Sequence, residues 1–151
     1  MRTKETIWRT CVHEAGHAVL LTALCSGCEY IDVIETEEQN GWTQGVPHNV
    51  AEDKARLHWI ASMYAGLAAE GVLLRLGFGW YLRDFEMVAK ALENIPEEER
   101  REQFRFQGLF TACRYVAQYG KEIKEVAHEL FNSPTQRVEG DRVREIVECS
   151  R

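Results

Sequence analysis

The chain has 151 residues, enough for one domain that buries about two thirds of its unfolded surface without help from disulfides. Its formal charge of −6, with no Lys/Arg run longer than two residues, argues against nucleic acid or an anionic membrane as a partner. No apolar run approaches the ~20 residues of a membrane-spanning helix, no signal-peptide pattern follows Met1, and the five cysteines lack framework spacing, so a cytoplasmic protein with reduced thiols is expected.

The first predicted element is a long helix over residues 6–26, with Ile7, Cys11, Val12, Val19, Leu20, Leu21 and Leu24 on a broad buried face. Inside it stands His13-Glu14-Ala15-Gly16-His17, an H-E-x-x-H sequence. On a helix the two histidines are one turn apart on one face, so both imidazoles reach one Zn²⁺ while Glu14 points toward the metal's open side. A catalytic zinc keeps one position open for water, and Glu14 suits the base that takes the proton of that water and passes it to a leaving amine. By residue frequencies the motif arises by accident roughly once in a few hundred chains of this size, so its helical context has to support it. Gly16, costly by about 1 kcal/mol in a helix interior, predicts that another backbone passes close by, and a substrate-binding strand is the expected neighbour. Gly27 is expected to end the helix as a left-handed cap, and Cys25 and Cys28 form a lone CxxC without a second pair.

Residues 30–35 alternate apolar and polar as a strand does, residues 37–41 make a polar turn, and residues 42–46 return as an edge strand before Pro47. A second long helix is predicted over residues 51–76, its middle rich in small residues that allow close helix packing. Within that apolar stretch Glu70 needs a charge or hydrogen-bond partner if buried, and the free N–H of a metal-bound histidine is a common one. Asp84 opens a third helix carrying Phe85, Val88, Leu92 and Ile95, and Pro96 with three glutamates starts a fourth that runs to about Tyr119. A fifth carries Ile123, Val126, Ala127 and Leu130 and stops at Asn132-Ser133-Pro134, and a short last helix over residues 141–148 buries Val143, Ile146 and Val147. The fold class this predicts is mainly α, a zincin-like helical domain with a small β-hairpin whose edge strand lies beside the helix of the two histidines, and no repeat or linker divides it.

A zinc hydrolase needs a third protein ligand, and spacing rejects none of Glu70, Asp84, Glu86, His48, His58 and His128. Asp84 also suits a helix N-cap.

Several segments, in order and at matching spacing, are similar to one family. They are Val12-His13-Glu14-Ala15-Gly16-His17-Ala18-Val19, Gly41-Trp42-Thr43, Ala65-Gly66-Leu67-Ala68-Ala69-Glu70, Asp84-Phe85-Glu86 and Val138-Glu139-Gly140-Asp141-Arg142-Val143. Over almost its full length the chain resembles the zinc-peptidase domain of membrane-anchored, ATP-dependent FtsH-type proteases. The resemblance implies that Zn²⁺ is the cofactor, Asp84 the third ligand, Glu14 the general base and Glu70 the group that orients a ligating histidine. It also implies that the strand around Gly41, Trp42 and Thr43 binds an extended peptide by β-augmentation. The chain departs from the family at Leu67, where arginine is usual, at Gly71, where a second glutamate is usual, and in the approach to Asp84 through Trp80-Tyr81-Leu82-Arg83. It also lacks a Walker motif, so the expected protein is a zinc endopeptidase for unfolded or flexible polypeptides without its own unfoldase. A separate ATPase partner and a homo-oligomer are both compatible with that expectation. The alternative from another class is a zinc-binding regulatory or interaction module of the same fold with little peptidase activity.

Overall fold

The middle of the first helix is buried on every side, and the other elements are arranged around it. The computed structural model describes residues 3–33, 41–77 and 81–150. Among these the chain forms α1 (Lys4–Leu24), β1 (Cys28–Asp32), β2 (Trp42–Gly45), α2 (Asp53–Leu73), α3 (Leu82–Leu92), α4 (Glu98–Gln118), α5 (Gly120–Asn132), β3 (Arg137–Glu139) and α6 (Gly140–Cys149). The architecture is mainly α with a small antiparallel sheet, as the periodicity predicts. The expected polar turn at residues 37–41, the end of the first strand and part of the link before α3 lie largely outside the described residues.

α1 starts where the Thr3 hydroxyl accepts the backbone N–H of Thr6 at 3.1 Å, a side-chain cap for one orphan donor. It ends where the Gly27 N–H, at φ +95°, donates to the Leu21 carbonyl at 3.0 Å. All residues from 10 to 21 are buried, so α1 has no solvated face there and is a central helix rather than an amphipathic surface one.

The neighbour of Gly16 corrects the sequence expectation. A Cβ at Gly16 would lie 2.6 Å from the Ala65 carbonyl oxygen and 2.9 Å from the Ala69 Cβ, so the close backbone belongs to α2 and not to a strand. The chain just before the edge strand approaches two residues earlier, where a Cβ on Gly41 would lie 2.8 Å from the Glu14 Cγ. The small residues of α2 are what allow this crossing.

The sheet has the order β2-β1-β3, all antiparallel, which makes β2 an edge. Thr43 pairs with Ile31, whose side chain is fully buried. Paired residues share a face, so Thr43 also points at α1. β3 was not foreseen; its three residues are too short for an alternating pattern, and only pairing with β1 (Ile31 with Val138) makes them a strand. α3 begins two residues before Asp84, with Tyr81 at the cap position, so the N-cap reading of Asp84 does not hold. Among the described residues no helix is long and apolar enough to cross a membrane, and no cysteine forms a disulfide. Burial holds the Cys25 thiol above its ordinary value and pushes that of Cys28 up to about 11, which removes the thiolate a redox CxxC needs.

Candidate metal centre and cleft

Three ligand-type atoms from two helices meet in one spot. His13 and His17, on α1, bring their Nε2 atoms to 3.0 Å of each other. Asp84, in the first turn of α3, places Oδ2 3.1 Å from the His13 Nε2 and 3.3 Å from the His17 Nε2. A tetrahedral zinc with bonds of about 2.0–2.2 Å separates its ligand atoms by roughly 3.3 Å, so the observed spacings suit one such ion. The far side of each ring has its own partner. The His17 Nδ1 lies 2.8 Å from the Ser62 carbonyl, which only accepts, so Nδ1 carries the proton and Nε2 turns its lone pair inward. The His13 Nδ1 is 2.7 Å from Glu70 Oε1, which orients that ring in the same way. Two imidazole nitrogens and a carboxylate oxygen thus converge where something positive is required.

The electrostatics agree with this donor set. Burial disfavours charge on His13, but hydrogen bonds to Asp84 and Glu70 outweigh it and hold its pKa up at about 10. His17 is raised for similar reasons, with Asp84 as the main opponent of burial. Burial likewise opposes ionisation of Asp84, yet the facing imidazoles keep its carboxyl well below the usual carboxylate range. The same carboxylates that favour a proton on these imidazoles would favour a cation there, so a metal bound at this place would compete with protons.

Glu70 is fully buried, and it is more heavily held than sequence suggested. Besides His13, its carboxylate accepts from Arg9 Nε and from the Tyr81 hydroxyl. Burial alone would raise its pKa; the bonds to His13, Tyr81 and Arg9 lower it instead, so it stays ionised. Gly66 completes the support, since a Cβ there would lie 2.4 Å from the His13 Nε2. The His13 ring therefore packs directly on the backbone of α2.

Glu14 is buried and lines one cleft with His17 and Asp84. Its Oε2 accepts a 2.6 Å hydrogen bond from the Thr43 hydroxyl on β2. The cleft has a volume of about 370 Å³. It is lined by Glu14, His17 and Asp84 and by residues 41–47, which include the edge strand, while Leu21, Trp59, Met63 and Met87 supply apolar surface. At the rim the Arg83 guanidinium sits 3.1 Å from the centre of the Trp42 ring and ties the edge strand to the start of α3.

The remaining ligand candidates are elsewhere. Among the described residues His13, His17 and Asp84 are the group with metal-binding geometry. His48 stacks on Trp59 and contacts Ser26, His128 is exposed against Trp8, Glu86 is exposed, and burial lowers the pKa of His58 apart from the cluster. Sequence reasoning missed Arg9, Tyr81, Ser62 and the specific role of Gly66. Only Arg9 had a local signal, one turn before His13 on the same helix face. No protein-family model matches the chain, and no curated protein matches it.

Proposed function

We propose that this protein is a zinc-dependent endopeptidase of FtsH-like type that hydrolyses peptide bonds in unfolded or flexible polypeptides in the cytoplasm. One observation carries the reading: Glu14 lines the same cleft as His17 and Asp84 and is hydrogen-bonded through Thr43 to an edge strand. His13, His17 and Asp84 would hold the ion, each presenting one atom. The chemistry Zn²⁺ supplies when bound is Lewis acidity toward the scissile carbonyl and the attacking water.

The chain's own residues do the rest. An extended peptide pairs with the open main-chain groups of β2 at Gly41, Trp42 and Thr43, so recognition runs largely through backbone and tolerates many sequences. The cleft's apolar surface accepts a side chain next to the cleaved bond. Glu14 takes the proton of the attacking water at a carboxylate oxygen and returns it to the leaving amine, while Thr43 holds that carboxylate in position. Glu70 and the Ser62 carbonyl keep both histidines in the tautomer that leaves Nε2 available.

The deciding experiment pairs metal content with cleavage of fluorescently labelled unfolded casein by wild type and Glu14→Gln. The expected result is about one zinc per chain in both and a loss of roughly 10²–10⁴-fold in turnover for the variant. One zinc with no cleavage by either protein would move the assignment to a zinc-binding interaction module.

A further inference from the structure

Two of the most exposed large apolar side chains lie one helical turn apart on α4, Phe106 at 74% and Phe110 at 64%. α4 buries Phe104, Gly108, Thr111, Ala112 and Val116, mainly against α2, so the two rings project from its opposite side. One turn further each way, at the same spacing, stand Glu102 and Arg114, both exposed. Among the described residues neither has an ion-pair partner; Arg114 only leans on the Tyr115 ring, 5.1 Å away. By contrast Arg100, Arg101 and Arg105 of the same helix pair with Asp53 or Glu98.

The order Glu102, Phe106, Phe110, Arg114 is complementary to itself. A two-fold axis at the level of Gly108, midway between the rings, sets α4 antiparallel to its copy. Each Phe106 then meets Phe110 of the partner subunit, and each Glu102 meets Arg114 of the partner subunit. We infer that α4 is the isologous interface of a homodimer, with the two phenylalanines as its apolar centre and the two ion pairs as the ends that set the register. The stripe spans about 18 Å of helix, and one helix pair covers less than the ~800 Å² per partner of a standard interface, so the dimer is a weak one with a dissociation constant on the order of micromolar. α2 lies between α4 and α1, and no residue of α4 lines the cleft, so pairing leaves the cleft open. The inference does not depend on the peptidase reading.

Sedimentation velocity over about 5–500 µM tests it. Wild type is expected to show a monomer–dimer equilibrium. Glu102→Arg and Arg114→Glu, each of which sets like charges face to face, are expected to weaken it at least about tenfold. Phe110→Ser is expected to abolish it, with far-UV CD unchanged because the side chain is exposed. Mixing Glu102→Arg with Arg114→Glu should restore a dimer, since each reversed charge then faces its opposite. A wild type that stays monomeric throughout, an oligomer indifferent to Phe110→Ser, or a mixture no more associated than its components would each overturn the inference.

Discussion

Asp84 and Glu70 are carboxylates on the two nitrogens of the His13 ring, and each has a distinct consequence when altered. Asp84 makes its contacts to imidazole nitrogens at 3.1 and 3.3 Å and caps nothing. Asp84→Ala is therefore expected to lose zinc during dialysis against a weak chelator. Zinc retained at one per chain would take Asp84 out of the ligand set. Glu70 accepts from three donors and touches the ligand set only through His13. Glu70→Gln keeps the shape but not the charge, and is expected to lower zinc affinity about 10–100-fold by competition titration. Affinity equal to wild type would show that His13 needs no orienting partner. Glu70 was legible in the sequence as an acid out of place among apolar residues; its second and third partners were not, because Arg9 and Tyr81 are ordinary surface-type residues until packing brings them together.

At the scale of elements, the site depends on how closely α1, α2 and β2 approach. Gly66 lies in the interior of α2, where replacing glycine by alanine ordinarily stabilises a helix by about 1 kcal/mol. Here a Cβ would fall 2.4 Å from the His13 Nε2, and overpacking costs typically about 1–3 kcal/mol, so the steric effect wins. Gly66→Ala is expected to lower the melting temperature and displace the imidazole, seen as reduced zinc content; a raised melting temperature with full zinc would refute this packing. Thr43 couples the edge strand to Glu14 through one hydrogen bond to a charged group, worth about 1.5–3 kcal/mol. Thr43→Val is expected to reduce kcat about tenfold or more while zinc content stays at one per chain. An unchanged kcat would uncouple the strand from the base. The sequence pattern found both strands of the hairpin, but it placed the strand beside Gly16. Periodicity states which residues are buried and is silent about what buries them.

For the whole molecule, the proposed ion would compete with a proton for one place in the core. In metal-free protein the folded pKa of His13, about 10, lies above its ordinary 6.5. The protonated ring thus stabilises the fold fully below about pH 6.5, and that contribution is lost as the pH rises toward 10. Asp84, with a depressed pKa, contributes above the ordinary carboxylate range and ceases to do so only as acid protonates it in the folded state. Zinc needs the neutral imidazole, so its apparent affinity rises with pH over the window in which the apo protein weakens. At zinc about 100-fold above its dissociation constant the linkage amounts to roughly 2.7 kcal/mol, or about 5–10 °C in Tm for a domain of this size. Thermal melts with and without zinc are expected to show that increment, larger at about pH 8.5 than at pH 6.5, and absent in Asp84→Ala. An increment that shrinks with rising pH would contradict the His13 assignment.

Sequence alone determined what acts within a turn or two of chain: the helices, the glycine that ends the first of them, and two histidines with a glutamate between them on one buried helix. Hydrogen bonding in a helix is local, so its pattern is written in consecutive residues. Tertiary structure alone decided the rest of the site. His13 meets Glu70 across 57 positions and Asp84 across 71, and His17 meets the Ser62 carbonyl across 45. By spacing alone Glu70, Asp84, Glu86 and the histidines His48, His58 and His128 all stayed open as the third ligand. The family resemblance pointed to Asp84, and the packing of α3 against α2 is what brings its carboxylate to the two histidines, because such a set closes through space and not along the chain.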